Sequence, residues 1–244
     1  MCRLMAFASL TETTLPSFVG KEFPEFVELS KAHRDGWGLA LASREGARVT
    51  KTSQSAAESP SFTDTVFSQT SSAGLLHFRW ASPGLEVTDK NSHPFHYGDI
   101  AMIHNGAVTP YESLVPRIDS ELLTLRNGDT DSELYFLFVL TMIHRSNFLD
   151  GVRAAIRTIK SEFDYSSINS MFFDNDYLVV VSEHNLNRIP AEGKEDYYEL
   201  RYRLTDEGIV AASSGWKQDG WKLLENHQLL IYDRKNKSHT LESI

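Results

Sequence analysis

The sequence predicts an α+β fold in which mainly antiparallel sheets carry helices on their faces. Short apolar and β-branched segments dominate both ends of the chain, and two long apolar helices separate them. Strands and helices do not alternate regularly, as they would if crossover helices joined parallel strands. The 244 residues suffice for one large domain with a sizeable core, so we expect a single domain over residues 1–244.

The first half of the chain contains short predicted strands and two short predicted helices. The strands combine apolar and β-branched residues with polar or glycine-containing flanks, and they cover residues 1–9, 37–42, 47–52, 72–79 and 99–104. The helices cover residues 24–33 and 61–69.

Two longer helices are predicted next, over residues 130–144 and 148–161. The first has a wide apolar face, and Asp131 and Glu133 lie in its first turn, where negative charge is favourable. Further strands are predicted beyond the helices, over residues 170–174, 177–183, 198–204, 208–213 and 228–232. The first two of these strands flank the segment Asp174-Asn175-Asp176, whose residues are typical of a turn, so a hairpin is predicted.

Composition excludes several functional classes. The net charge of −9 disfavours a nucleic acid or an anionic membrane as partner. No apolar run approaches the roughly 20 residues of a membrane span, and no secretory signal is recognisable, so we expect a cytoplasmic enzyme or binding protein. Glycine-rich phosphate and dinucleotide motifs are missing, and His93 and His96 lack metal-ligand spacing. We therefore expect neither a cofactor nor a metal.

Cys2, the only cysteine, follows Met1 directly. If Met1 is removed, one residue carries both the thiol and a free α-amine, whose ordinary pKa is about 7.7–8.0. Such an amine can act as the base that turns the thiol into a nucleophile. Alternatively, Cys2 is a small buried hydrophobe at the start of an N-terminal strand, and position alone does not separate these interpretations.

Arg79 lies in the segment His77-Phe78-Arg79-Trp80-Ala81-Ser82, at the end of a predicted strand. An arginine that leaves an apolar strand end needs an anionic partner if it is buried. That partner is either a protein carboxylate or a substrate carboxylate bound through two parallel hydrogen bonds.

Two further segments each allow a structural and a functional interpretation. Asn105-Gly106 follows a predicted strand; it is either a hairpin turn or a pair of N–H donors that form an oxyanion hole. Asp131 lies in the segment Gly128-Asp129-Thr130-Asp131-Ser132-Glu133, at the start of the first long helix. It is either an ordinary helix-start residue or the group that binds a substrate ammonium.

Together, these segments resemble the class II glutamine amidotransferases. The resemblance rests on their joint occurrence in one order: Cys2, His77-x-Arg79-Trp80-Ala81-Ser82, Asn91-Ser92-His93-Pro94, His104-Asn105-Gly106 and Thr130-Asp131-Ser132-Glu133. It covers residues 2–214. The segment Asp35-Gly36-Trp37-Gly38 and the short chain look most like the stand-alone bacterial subgroup, which includes the γ-glutamyl amidohydrolase of ergothioneine synthesis.

The resemblance implies a fold and a reaction. The fold would be a four-layer αββα sandwich, that of the N-terminal-nucleophile (Ntn) hydrolases. Cys2 would attack the side-chain amide of glutamine or of a γ-glutamyl amide, and Asn105 and Gly106 would stabilise the oxyanion. Arg79 would bind the substrate α-carboxylate and Asp131 its α-ammonium. The remaining expected substrate-binding residues are Trp80, Ser82 and His93.

The chain also departs from the family pattern. Phe78 replaces the hydroxyl residue usual in relatives that channel ammonia, and the turn at Arg34-Asp35-Gly36 lacks a proline. We also expect no second catalytic domain. Whether ammonia goes to a separate synthase subunit or a γ-glutamyl conjugate is simply hydrolysed therefore stays open. The alternative from a different class is a regulatory module that binds glutamine without turning it over.

Overall fold

A computed structural model of the protein describes residues 2–190 and 196–244. The strands, in chain order, are β1 (Arg3–Thr13), β2 (Trp37–Leu41), β3 (Arg48–Thr52), β4 (Ser71–Phe78), β5 (Phe95–Tyr97), β6 (Ile100–Thr109), β7 (Asp164–Phe173), β8 (Tyr177–Ser182), β9 (Leu200–Thr205), β10 (Gly208–Ser213), β11 (Lys222–Leu224), β12 (Gln228–Asp233) and β13 (Ser238–Ser243). The α-helices are α1 (Leu15–Val19), α2 (Phe23–Glu28), α3 (Pro60–Ser68), α4 (Ser120–Leu123), α5 (Asp131–His144) and α6 (Phe148–Glu162).

These strands form two antiparallel sheets. The seven-stranded sheet has the order β11-β9-β10-β1-β4-β2-β3, and the six-stranded sheet has the order β13-β12-β8-β7-β6-β5. In the first sheet β1 pairs with both β4 and β10, and in the second β6 pairs with β5 and β7. The first residues of the chain and the centre of β6 therefore belong to different sheets.

The two sheets pack face to face, with helices on their outer faces. Apolar residues of both sheets fill the space between them, including Leu4, Leu75, Ile103 and Val180. Helices α1 to α3 cover the outer face of the seven-stranded sheet, whereas α5 and α6 cover that of the six-stranded sheet. The four-layer αββα prediction is confirmed, since three apolar clusters separate four layers. No helix within the described residues is long and apolar enough to span a membrane.

The two long helices begin as their sequence indicates. Thr130 precedes α5, and its side-chain oxygen accepts a hydrogen bond from the Glu133 backbone N–H. Asn147 caps α6 in the same way by accepting from Asp150. Helix α5 is buried on most of its surface because it lies between the six-stranded sheet and α6, so its residues are apolar nearly all round.

Strand β6 corrects the sequence prediction at a functionally important place. The predicted strand ended at residue 104, with Asn105-Gly106 as a turn, but β6 continues to Thr109. Asn105 pairs with Asn169 and Gly106 with Ile168, so both lie inside the strand. The backbone φ of Gly106 is 150°, and a Cβ there would lie 1.9 Å from the Ser167 carbonyl oxygen. Glycine is present because β7 approaches closely, and not because the chain reverses.

Other boundaries differ for simpler reasons. Strand β7 begins at Asp164, six residues before its predicted start, because its polar first half pairs with the end of β6. The hairpin between β7 and β8 is confirmed, and the Asp174 carboxylate accepts hydrogen bonds from the backbone of Asp176 and Tyr177. The unpredicted elements are short or mostly exposed, which leaves little apolar periodicity to detect: α1, α4, β5, β11 and β13.

The core between the sheets gives a stability prediction. Leu75 is fully buried there, so Leu75→Ala should lower the free energy of unfolding by about 2–5 kcal/mol through lost burial and a residual cavity. Leu186 is 64% exposed, and Leu186→Ala should change it by no more than about 0.5 kcal/mol. Urea unfolding of both variants measures the difference. Equal effects would contradict the described packing.

Candidate active site

A cleft opens where the start of β1, the end of β4, the middle of β6 and the start of α5 meet. It brings together all eight residues that the sequence singled out, namely Cys2, Arg79, Trp80, Ser82, His93, Asn105, Gly106 and Asp131. Five segments, including the loop before β5 that carries His93, therefore line one concave surface. This proximity alone assigns no role to any of the eight.

Cys2 immediately precedes β1, and its backbone nitrogen reaches across to the other sheet. The nitrogen donates a hydrogen bond to Asn105 Oδ1 at 2.8 Å. The thiol Sγ lies 3.8 Å from the carbonyl oxygen of Trp80. Burial raises the pKa of the Cys2 thiol, while the nearby Arg79 guanidinium opposes that increase. The Cys2 thiol thus lies in the cleft, and the Asn105 side chain orients the backbone nitrogen of the same residue.

Asn105 has one end of its amide engaged and the other available. Its Oδ1 accepts from Cys2, and its Nδ2 donates to no group among the described residues. The residue is buried and lines the cleft together with Gly106. An amide held at its oxygen presents its N–H groups in a defined direction, as an oxyanion-binding donor requires.

Arg79 is buried without an ionic partner. Only 3% of it is exposed, and it forms no salt bridge within residues 2–190 and 196–244. Its Nη2 donates to the Glu86 carbonyl oxygen at 3.0 Å, whereas its buried Nη1 has no partner in the described part of the chain. Burial lowers the pKa of the guanidinium, and the Cys2 side chain opposes this. No carboxylate of the described residues pairs with Arg79 as the structural interpretation required, so this cation is open to an anionic ligand.

Asp131 is the first residue of α5 and is tied to β6. Its Oδ2 accepts a hydrogen bond from the Val108 backbone N–H at 2.9 Å. Its Oδ1 has a contact of 3.5 Å with the Ser132 hydroxyl. The cleft therefore contains one acidic side chain and one basic side chain, Asp131 and Arg79, together with the thiol. Two opposite charges in one cleft match the two ends of an α-amino acid.

Two histidines, His93 and His104, line the cleft, and His77 packs against His93. His77, His93 and His104 are all buried, and burial lowers the pKa of each, so the three rings are neutral at pH 7. The His77 and His93 ring centroids lie 4.2 Å apart. Among the described residues, neither ring nitrogen of His93 has a hydrogen-bond partner. His93 thus adds a buried polar group that a ligand can engage.

The loop that carries His93 is held close to the sheet. A Cβ at Gly38 would lie 2.1 Å from the His93 carbonyl oxygen, so β2 approaches this loop too closely for any side chain. The other rim of the cleft is the exposed segment with Trp80 and Ser82. Its backbone is fixed by Asp35, whose Oδ2 accepts from the Ala81 N–H at 2.8 Å.

Some cleft residues had not been assigned a role from the sequence. Asn91, His104, Thr130 and Ser132 lie in the same motifs as the predicted residues, so the motifs themselves were the available signal. Ala81 and Leu85 carry no sequence signal for a site. Within the part of the chain that the structure describes, no three His, Cys, Asp or Glu side chains are placed to hold a metal ion.

Comparison with known structures supports the same fold. A glutamine aminotransferase class-II domain protein from Silicibacter pomeroyi matches with a TM-score of 0.70 at 19% identity, over 99% of both chains. A predicted glutamine amidotransferase from Pseudomonas aeruginosa has a TM-score of 0.60 at 17% identity, over 96% of this chain and 98% of that one. The glutamine phosphoribosylpyrophosphate amidotransferase of B. subtilis has a TM-score of 0.61 at 14% identity, over 100% of this chain and 49% of its own. These likenesses show the Ntn-hydrolase fold.

Sequence comparison gives relatives of two lengths. An uncharacterized protein of Methanocaldococcus jannaschii is 27% identical over 237 residues, which are 85% of this chain and 63% of the relative. The glutamine–fructose-6-phosphate aminotransferase (isomerizing) of Acinetobacter baylyi is 31% identical over 113 residues, 46% of this chain and 18% of the enzyme. The chain thus spans less than two thirds of both relatives.

The sequence model of one family covers nearly the whole chain. The family is described as glutamine amidotransferases class-II, and it matches residues 1–234. This range includes every residue of the cleft and both sheets up to β12. The chain therefore belongs to the class II glutamine amidotransferases.

Proposed function

We propose that this protein, as a single glutaminase-type domain, hydrolyses the side-chain amide of glutamine or of a related γ-glutamyl amide with Cys2 as the nucleophile. The observation that carries the proposal is the hydrogen bond from the Cys2 nitrogen to Asn105 Oδ1. This hydrogen bond supports the proposal because it joins two groups of one cleft: the Cys2 nitrogen, which becomes the α-amine after Met1 removal, and the Asn105 amide. The Cys2 thiol lies in the same cleft. Arg79 and Asp131 line that cleft and offer complementary charges for the α-amino acid end of the substrate.

The first half of the reaction releases the amine. The α-amine of Cys2 takes the thiol proton, and the sulfur attacks the amide carbon. The resulting oxyanion accepts hydrogen bonds from Asn105 Nδ2 and the Gly106 N–H, each worth about 2.7–4 kcal/mol in comparable sites. The C–N bond then breaks as the leaving nitrogen takes the proton from the α-ammonium. Ammonia or an amine departs, and a γ-glutamyl thioester remains.

The second half restores the enzyme. A water molecule attacks the thioester carbon while the α-amine takes its proton. The C–S bond breaks, glutamate leaves, and the sulfur recovers its proton. The ammonia is either released or passed to a separate synthase subunit. Residue Phe78, which replaces the hydroxyl residue of ammonia-channelling relatives, favours release.

Two N-terminal changes test the nucleophile and the base separately. Cys2→Ala should abolish glutaminase activity because no other thiol is present in the chain. A chain with one extra residue before Cys2 keeps the thiol but converts its amine to an amide, so it should lose activity as well. Glutamate release is measured, with circular dichroism as the control for folding. Full activity in folded Cys2→Ala would contradict the proposal. If the wild type binds glutamine without turning it over, the regulatory module becomes the better interpretation.

Substrate analogues test the two charged residues. Arg79→Gln should lower kcat/KM for glutamine by about 10- to 100-fold, the size of a charge-assisted hydrogen bond, but should affect 4-aminobutanamide, which lacks the α-carboxylate, far less. Asp131→Asn should show the reverse selectivity, with glutaramate, which lacks the α-ammonium, as the insensitive substrate. Equal losses on all three amides would contradict these assignments.

The raised pKa of the buried thiol predicts a pH dependence. In the chain extended by one residue, burial favours the neutral thiol, so alkylation of Cys2 by iodoacetamide should reach half its maximal rate at a higher pH than in the urea-unfolded chain. Cys2 is the only cysteine, so mass spectrometry follows one site. A midpoint equal to or below that of the unfolded chain would show that burial does not control the thiol.

A further inference from the structure

A second cavity lies beside the Cys2 cleft and shares a wall with it. This Arg3 cavity has a volume of about 460 Å³, within the range of about 300–1,000 Å³ for small-molecule sites. Trp80 lines both spaces, and its carbonyl oxygen is 3.8 Å from the Cys2 thiol. The residues that line the cavity include Arg3, His33, Trp80, Asp196, Gly215 and Trp216.

Arg3 is a second buried cation without an ionic partner. It is 7% exposed and forms no salt bridge within residues 2–190 and 196–244. Its Nη1 donates to the Tyr197 carbonyl oxygen at 3.0 Å, and its guanidinium lies 4.5 Å from the centre of the Tyr197 ring. Its buried Nε has no hydrogen-bond partner among the described residues. A buried guanidinium is costly unless an anion compensates its charge.

Among the described residues, no acidic group fills that role. Burial lowers the pKa of the Arg3 guanidinium, and the nearby Tyr197 and Asp196 oppose that decrease. Asp196 lines the cavity, yet it forms no ion pair with Arg3. Gly215 lies directly beside the guanidinium, since a Cβ there would be in van der Waals contact with Arg3 Nη2 at 3.4 Å. The Arg3 fork is therefore the basic group that a ligand carboxylate in this cavity can pair with.

The remaining walls are aromatic. Trp80 is 41% exposed and its ring packs edge-on against His33, with centroids 5.6 Å apart. Trp216 also lines the cavity and donates its indole N–H to the Ser213 carbonyl oxygen. Burial lowers the pKa of His33 to about 4, so that ring is neutral at pH 7. Neutral aromatic rings around one cation fit a ligand that carries both a ring and a carboxylate.

We propose that the Arg3 cavity binds the amine half of the substrate, and that this half is an aromatic amino acid, so that the preferred substrate is a γ-glutamyl amide of an aromatic amino acid. This inference rests on the proposed function, because it places the γ-glutamyl half in the Cys2 cleft. Arg79 then binds the carboxylate of the γ-glutamyl half, and Arg3 binds the carboxylate of the leaving amino acid. Ammonia, the leaving group from glutamine, would make none of the contacts in the Arg3 cavity.

Four substrates test the proposal on the wild-type protein. They are γ-glutamyl-L-phenylalanine, its C-terminal amide, γ-glutamylglycine and glutamine. We expect kcat/KM for γ-glutamyl-L-phenylalanine to exceed that for glutamine by tenfold or more. Amidation of the phenylalanine carboxyl should lower it at least tenfold because the pairing with Arg3 is lost. Replacement of the benzyl side chain by hydrogen, in γ-glutamylglycine, should also lower it.

A pair of arginine variants locates the effect. Arg3→Gln should remove the discrimination between the phenylalanine acid and its amide. Arg44→Gln, at an exposed position in the turn between β2 and β3, should retain it. If Arg3→Gln does not fold, the comparison of acid and amide on the wild type decides the question.

The outcomes separate this inference from the proposed function. Cleavage of glutamine with equal rates for the phenylalanine acid and amide would overturn the second site and leave the proposed function standing. If no substrate is cleaved, tryptophan fluorescence of Cys2→Ala decides, because Trp80 and Trp216 line the cavity. Tighter binding of the acid than of the amide would then support the site without the reaction, and equal or absent binding would overturn it.

Discussion

The hydrogen bond between the Cys2 nitrogen and Asn105 Oδ1 joins the two sheets at the point where the cleft forms. Cys2 precedes β1 of the seven-stranded sheet, and Asn105 lies inside β6 of the six-stranded sheet. The geometry of the cleft thus depends on how the sheets pack, because a shift of one sheet against the other would separate these atoms. The apolar layer between the sheets, which contains Leu75 and Ile103, maintains that relation.

Charge burial is the second constraint, and it occurs twice. Arg79 and Arg3 are both buried, both use one nitrogen to donate to a backbone carbonyl, and both retain a buried nitrogen without a partner in the described residues. Such groups destabilise the unliganded protein, since desolvation of a guanidinium is compensated only in part by neutral acceptors. They are consistent with ligand sites in which the missing anion arrives with the substrate, one for each half of a γ-glutamyl amide.

The sequence predicted helices and strands well where one side of the element packs against the core. There, apolar residues recur at the spacing of a helix or of a strand. Helices α5 and α6, and the hairpin between β7 and β8, follow from apolar spacing and turn residues. The pattern was misleading at Asn105-Gly106, because the same dipeptide favours a hairpin turn and also suits a strand that another strand approaches closely. Strand β13 was missed since it is exposed along most of its length.

The sequence by itself determined the family resemblance, the four-layer fold that the resemblance implies, and eight of the residues that line the cleft. It could do so because each motif is a short local segment, and the motifs, beginning with Cys2, follow a fixed order along the chain. Only the tertiary structure decided that Arg79 has no carboxylate partner among the described residues, that Asn105 orients the Cys2 nitrogen, and that Arg3 lies in a second cavity. Each of these depends on contacts between residues distant in sequence, and no local pattern specifies which charges meet across two packed sheets.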